Sequence, residues 1–340
     1  MDSRGKLMVD SDAVSSIAET GCNESSASSL DRLARVGLSA LRSKYPWVGA
    51  FGPPKSVSPF MWAAFARERI TRASLRAHRA KHPWVGVFGP PKSATTFIWA
   101  ALARTLNAER LVFNVVHPDD PRRQLLHELD PRQMRARARD ARRVVFRLHA
   151  MASGNVLTYL DLFCVRSVLC SRNIFDCLVS LREEWVKQWS TPGYLGALAL
   201  GGEDNFIGRL DASQIRCFLA ADDQGRMDII IELTAAWYLR FYSSWKRAVQ
   251  DQPHAFAIVR YEDLIGREEE TISRLLEYLG CPDTHKSPAG VVDHLKVNRD
   301  ESNLNVGISG RGKALMTGAQ VDRVMAIAET LGATELIDGI

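Results

Sequence analysis

The chain has 340 residues, 46% of them hydrophobic, and a formal net charge of +5. This length and apolar content predict one large globular domain with a sizeable core, and so mild a charge does not support nucleic-acid binding. No apolar stretch reaches about 18 residues and the N-terminal segment lacks the apolar centre of a signal peptide, so we expect neither a membrane span nor secretion.

Residues 1–30 are rich in Ser, Asp, Glu and Ala, so we expect this N-terminal segment to be disordered. A duplicated unit follows. Lys44–Arg67 reads KYPWVGAFGPPKSVSPFMWAAFAR, and Lys81–Arg104 repeats it as KHPWVGVFGPPKSATTFIWAALAR. We interpret residues 31–80 as the first copy with a basic, helical linker, and residues 81–340 as the main domain.

The second copy predicts a phosphate-binding loop. An apolar run, VGVF, precedes the turn GPPKS, and an apolar-periodic helix follows over Ala94–Leu106. α/β proteins present backbone N–H groups to phosphate in this arrangement. Thr95 and Thr96 add hydroxyl donors, whereas the first copy has Pro59 in place of Thr96 and so lacks a hydroxyl and an N–H there. We therefore expect the second copy to bind phosphate and the first to be degenerate.

Beyond the loop, strand and helix patterns alternate along the chain. Strands are predicted at Arg110–Val116, Val144–Leu148, Val165–Cys170 and Ala255–Val259. Helices are predicted at Pro131–Asp140, Ile174–Trp189, Met227–Gln250, Glu268–Leu279 and Gly318–Leu331. This alternation favours an α/β fold with a central parallel sheet flanked by helices. Gly280 fits a helix C-terminal cap, and the polar, turn-rich residues 281–312 predict a long loop that carries ligand contacts.

The loop differs from a Walker A motif, which needs GxxxxGK followed by Ser or Thr, because no second Gly precedes Lys92. The sequence GPPKSATTF instead resembles the 5′-phosphosulfate loop of the sulfotransferases that use 3′-phosphoadenosine 5′-phosphosulfate (PAPS), usually PKSGTTW. The chain departs from that pattern at Ala94, where the family usually has Gly, and at Phe97, where it usually has Trp. Neither change removes a hydrogen-bond donor.

Three further segments resemble the same family. SVLCSRNIFDCLVSL is similar to the 3′-phosphate motif, which implies that Arg172 and Ser180 contact that phosphate. FRLHA resembles the segment at the end of a strand that carries the family's base, here His149, 23 residues before Arg172. VRYEDL resembles the strand end whose Tyr packs against the adenine, here Tyr261.

A looser match lies near the C-terminus. Gly310–Lys313, GRGK, occupies the place of the family's loop that closes over the 3′-phosphate, although the order of the cations differs and no Trp follows. The resemblance implies that Arg311 and Gly312 contact the donor and gives weaker support to Lys313.

The resemblance implies a P-loop NTPase-like sulfotransferase fold over residues 81–340, preceded by an N-terminal extension. The implied reaction moves the sulfuryl group of PAPS, a co-substrate, in line to a hydroxyl or amine of a small-molecule acceptor without a metal. His149 would be the base and Lys92 would stabilise charge on the bridging oxygen. Donor-binding residues would be Pro91, Lys92, Ser93, Ala94, Thr95, Thr96, Phe97, Arg172, Ser180, Tyr261, Arg311 and Gly312.

Two alternatives stay open. A nucleotide-dependent small-molecule kinase would share the loop and helix but would need a metal-binding carboxylate. A non-catalytic nucleotide-binding protein would tolerate the duplication and the departures from the family motifs. The six cysteines form no CxxC pair, which favours reduced thiols and a cytoplasmic location. The residues identify neither the acceptor nor the oligomeric state, and a homodimer is left open.

Overall fold

A five-stranded, all-parallel sheet lies at the centre of the computed structural model of this protein, which confirms the predicted fold class. The strand order is β2-β3-β1-β4-β5. The strands are β1 (Trp84–Phe88), β2 (Glu109–Leu111), β3 (Val144–Leu148), β4 (Arg166–Ser171) and β5 (Phe256–Arg260).

The structure describes residues 74–111, 129–138, 142–190, 212–281, 285–298, 301 and 308–340. Residues 75–81 are helical, which covers the end of the expected basic linker and Lys81. The expected disordered segment 1–30, the first copy of the repeat and residues 112–116 of the predicted second strand lie outside the described residues.

Both faces of the sheet are buried, because side chains alternate between two cores along each strand. On β1, Trp84 and Phe88 enter the first core, whereas Val85 and Val87 enter the second. The neighbouring strand β3 follows the same rule and sends Phe146 to the first core. Burial on both faces explains why the central strand β1 is a continuous apolar run.

Besides the helical residues 75–81, ten helices of the described residues pack around the sheet. They are α1 (Thr95–Leu106), α2 (Pro131–Arg137), α3 (Gly154–Leu162), α4 (Ile174–Trp189), α5 (Ala212–Ala220), α6 (Asp223–Asp251), α7 (Tyr261–Leu264), α8 (Glu268–Tyr278), α9 (Pro288–Val297) and α10 (Gly318–Thr330). Helices α1, α8 and α9 cover one face, and α3, α4, α6 and α10 cover the other. Gly280, with φ +65°, follows α8 as the predicted terminal glycine.

The predicted loop 281–312 is wrong for residues 288–297, which form α9. Ser287 caps this helix by accepting a hydrogen bond from the N–H of Gly290, and a proline occupies its first turn. Val291, Val292 and Leu295 lie on one face of the helix and are buried in the core that contains α1. Polar residues between these three hide the apolar stripe in the sequence. Helices α3 and α5 were also not predicted.

Because Leu295 is buried in this core, Leu295→Ala should lower the free energy of unfolding by about 3 kcal/mol. Val297→Ala, at a side chain that is 82% exposed two residues later, should change it by less than about 0.5 kcal/mol. Urea denaturation of both variants measures the difference. Equal effects would mean that α9 does not pack as described.

Candidate functional site

The predicted site residues gather at the carboxyl edge of the sheet. Strand β1 lies between β3 and β4, and all three run in the same direction, so the segments that follow them meet. The loop with Lys92 follows β1, His149 follows β3, and Arg172 follows β4. In a parallel sheet, the chain connections from two neighbouring strands can run to opposite faces of the sheet. The crevice that opens between them commonly binds a ligand.

The loop that is predicted to bind phosphate, which begins at Gly89, is tightly folded. Lys92 and Ala94 both have left-handed backbones, with φ of +67° and +68°. Ser93 Oγ donates a hydrogen bond to the Pro90 carbonyl over 2.7 Å and is buried. At Gly89 a Cβ would lie 2.6 Å from Ser93 Oγ, so no larger residue fits before the turn. The turn is therefore packed tightly against its own side chains and against the end of β4.

Helix α1 begins at this loop without an internal cap. Its N-cap residue, Ala94, has no side-chain hydrogen-bond acceptor, and its first turn contains no acidic residue. Helices α3, α6 and α9, by contrast, each begin with a Ser or Asp that accepts a backbone N–H. The first N–H groups of a helix and its dipole favour an anion. The start of α1 is therefore suited to a phosphate.

Ala94 occupies a conformation that an L side chain rarely adopts, so Ala94→Gly should stabilise the protein by about 1 kcal/mol. The matched change Ala326→Gly lies in the interior of α10 and should destabilise it by about 1 kcal/mol. Thermal or urea unfolding of the two variants provides the comparison. A loss of stability in both would show that Ala94 is not strained.

His149 is held against the phosphate-binding loop. Its side chain is 3% exposed, and Nδ1 lies 2.6 Å from the Gly89 carbonyl oxygen. A carbonyl only accepts hydrogen bonds, so Nδ1 is the donor in this contact. The base that the sequence predicts is therefore oriented by the loop itself.

Two cations border the same loop. The ammonium of Lys92 pairs with the carboxylate of Glu184 on α4. Arg147 donates to the hydroxyl of Thr96, and its guanidinium carbon lies 5.3 Å from the centre of the Trp99 ring. Burial lowers the pKa of Arg147, and the nearby carboxylate of Glu184 opposes that shift. Two cations thus lie beside the start of α1, and Glu184 compensates part of their charge.

Arg172 is 5% exposed and joins three segments of the site. Its Nη1 donates to the Lys92 carbonyl over 2.9 Å, and its Nη2 donates to the Ile308 carbonyl over 3.3 Å. Its guanidinium carbon lies 3.7 Å from the centre of the Tyr261 ring. Nε has no hydrogen-bond partner among the described residues. Tyr242 fixes the Arg172 backbone, since its hydroxyl donates to the carbonyl and accepts from the N–H.

The C-terminal loop is anchored on α4 by Asp176. This carboxylate accepts the N–H of Gly310 over 2.7 Å and the N–H of Gly312 over 2.6 Å. Between these glycines, Arg311 forms two hydrogen bonds of 2.8 and 2.6 Å with Glu183, which raise the pKa of Arg311. The loop that sequence reasoning matched only weakly therefore lies beside the 3′-phosphate motif.

Gly312 permits this contact because it lacks a side chain. A Cβ at Gly312 would lie 2.4 Å from the carbonyl carbon of Phe175 and 2.5 Å from the N–H nitrogen of Asp176. Gly312→Ala should therefore displace the loop and weaken the binding of a nucleotide bisphosphate at least tenfold, as calorimetry can measure. Gly318→Ala, with no atom within 4 Å of the added carbon, is the control and should leave affinity unchanged.

Of the other predicted residues, Phe97 is fully buried in the second core, and Ser180 is buried on α4. Lys313 lies over the Phe175 ring. Sequence reasoning missed Glu183 and Glu184. Tyr238 supports the loop, because its hydroxyl donates to the Pro91 carbonyl over 3.0 Å. One signal was available for Glu184, because it lies one helical turn after Ser180 and therefore on the same face.

A metal cluster and a membrane-spanning helix are both absent from the described part of the chain. There, no three His, Cys, Asp or Glu side chains are grouped to hold a metal ion. None of the helices described combines the length and apolar character that crossing a bilayer requires. Burial raises the pKa of the Cys177 thiol to about 12, and also raises that of Cys170, so neither is suited to act as a nucleophile.

A family model described as "Sulfotransferase domain" matches residues 83–307. Mouse sulfotransferase SULT7A1 complexed with PAP is a similar solved structure, at 13% identity over 78% of this chain and 90% of that chain, with a TM-score of 0.49. Retinol dehydratase in complex with androsterone and inactive cofactor PAP is another, at 14% identity over 79% and 86%, with a TM-score of 0.42. A search of curated proteins finds no match.

Proposed function

The chain belongs to the sulfotransferase family, and we propose on that premise that it transfers the sulfuryl group of PAPS to a hydroxyl or amine of a small-molecule acceptor. One observation carries the proposal. A histidine, a lysine and an uncapped helix N-terminus meet at a single loop, linked by the bond from His149 Nδ1 to the Gly89 carbonyl. Sulfuryl transfer requires a base, a cation and an anion site.

The donor would lie along the carboxyl edge of the sheet. The N–H groups at the start of α1, with the hydroxyls of Thr95 and Thr96, would hold the 5′-phosphate. Arg172, Ser180 and Arg311 would hold the 3′-phosphate, and Tyr261 would contact the adenine. The residues present fit this donor for two reasons. Arg172 Nε is buried without a hydrogen-bond partner among the described residues, and the first turn of α1 contains no carboxylate that would repel a phosphate.

In the reaction, the acceptor oxygen or nitrogen forms a new bond to sulfur while the bond from sulfur to the bridging oxygen breaks. His149 Nε2 takes the proton of the acceptor, and the Nδ1–H bond to Gly89 holds the ring in the required tautomer. The ammonium of Lys92 stabilises the negative charge that develops on the leaving oxygen. Arg147, half-buried beside Thr96, adds positive charge near the sulfuryl oxygens.

Incubation with PAPS labelled in its sulfuryl group and a panel of phenols, alcohols and amines tests this function without added Mg²⁺. His149→Ala should lower kcat by about 10²- to 10⁴-fold, because the proton has no positioned acceptor. Lys92→Ala should lower it by about 10²- to 10³-fold, because the leaving oxygen loses its cation.

Controls come from exposed residues of the same types. His254→Ala and Lys286→Ala should retain wild-type transfer. Binding of 3′-phosphoadenosine 5′-phosphate (PAP) should raise the melting temperature of the wild type. Transfer that survives both His149→Ala and Lys92→Ala would refute the mechanism, and a Mg²⁺ requirement would favour a kinase. PAP binding without transfer to any acceptor would favour a non-catalytic protein.

A further inference from the structure

Glu184 places a carboxylate in the site, and the proposed reaction assigns no role to it. Glu184 lies on α4, one turn beyond Ser180, and its side chain is 32% exposed. Its carboxylate pairs with Lys92, the cation assigned to the leaving oxygen, and acts electrostatically on Arg147 and Tyr238. Only the Lys92 ammonium therefore separates the negative charge of Glu184 from the position assigned to the sulfuryl group.

The cations of the site are largely neutralised before any ligand binds. The cations assigned to the donor are Lys92, Arg147, Arg172 and Arg311. Three of them have a carboxylate oxygen within 4.0 Å. Lys92 pairs with Glu184, Arg172 with Asp176 and Arg311 with Glu183. These seven side chains together carry a net charge of +1.

The donor brings more negative charge than this set can balance. Its 3′-phosphate carries about −1.5 to −2 and its phosphosulfate group two further charges, about −3.5 to −4 in all. The loaded site is therefore negative, and Glu184 is the carboxylate of the three that contacts the cation beside the transferred group. An acceptor with a positive charge is attracted to such a site, and an anionic acceptor is repelled.

We propose that Glu184 determines acceptor specificity, so that this enzyme selects acceptors that carry a protonated amine in addition to the group that is sulfated. The inference rests on the proposed function for the position of the sulfuryl group. Glu184 need not touch the reacting atoms. Its carboxylate sets the charge of the region that the acceptor enters, while Lys92 remains paired with it or is shared with the donor.

Three phenols test the proposal: tyramine, 4-ethylphenol and 4-hydroxyphenylacetate. Each offers the same phenol hydroxyl, and their side chains are positively charged, neutral and negatively charged in that order. For the wild type, kcat/KM should fall in that order. Glu184→Gln removes one negative charge from the region that the acceptor is proposed to enter, so the ratio of tyramine to 4-ethylphenol should fall about tenfold and that of 4-hydroxyphenylacetate to 4-ethylphenol should rise. Glu184→Asp should keep the wild-type order.

The ratios separate specificity from general damage, because a variant that merely perturbs folding or donor binding lowers all three rates together. Glu232→Gln, an exposed glutamate on α6, is the control of equal charge change and should leave the ratios unchanged. Equal losses for the three phenols in Glu184→Gln, or a wild type that prefers 4-hydroxyphenylacetate, would overturn the proposal.

Calorimetric binding of the same three phenols to the PAP-loaded protein gives a readout that does not need turnover. The order of affinity should match the charge order and should flatten in Glu184→Gln. Transfer to phenols without a charge order would refute the role of Glu184 and leave the proposed function intact. A charge order in binding without any transfer would refute the proposed function and leave the role of Glu184 intact. Equal affinities, or no binding of tyramine, would overturn the role of Glu184.

Discussion

The site depends on the contacts that the guanidinium of Arg172 makes with the groups around it. This guanidinium is almost fully buried, and a buried charge is unfavourable unless polar groups surround it. Here the carbonyls of Lys92 and Ile308, the ring of Tyr261 and the carboxylate of Asp176 surround it. These groups belong to segments that follow different strands and helices. Solvating one cation therefore brings the phosphate-binding loop, the start of α4 and the C-terminal loop together.

The same principle operates at the other cations. Lys92 pairs with Glu184 and Arg311 pairs with Glu183, so two consecutive residues of α4 hold two cations assigned to opposite ends of the donor. Helix α4 is thus a common support for the sulfuryl and 3′-phosphate ends of the proposed site. A ligand that takes over these cations leaves the glutamates less compensated, which couples donor binding to the charge that an acceptor encounters.

Local patterns explain which parts of the fold could be predicted from the sequence. Alternating strand and helix periodicities predicted the parallel sheet, and the uncapped start of α1 follows from the Ala94-Thr95-Thr96 sequence. Helix α9 was interpreted as loop because it is short and because its cap, Ser287, stands in a polar, turn-rich stretch. Only packing against the core with α1 shows that Val291 and Leu295 form an interior face.

By itself, the sequence determined the chemistry that each segment offers: a phosphate-binding loop, a histidine after a strand, and an arginine before a helix. Those signals are local, since hydrogen bonds within a helix and alternation along a strand involve residues a few positions apart. Only the tertiary structure decided the partners. Lys92 and Glu184 are 92 residues apart in the chain, and the helix and sheet packing that joins them leaves no periodic trace in the sequence. The charge of the site is therefore a property of the fold.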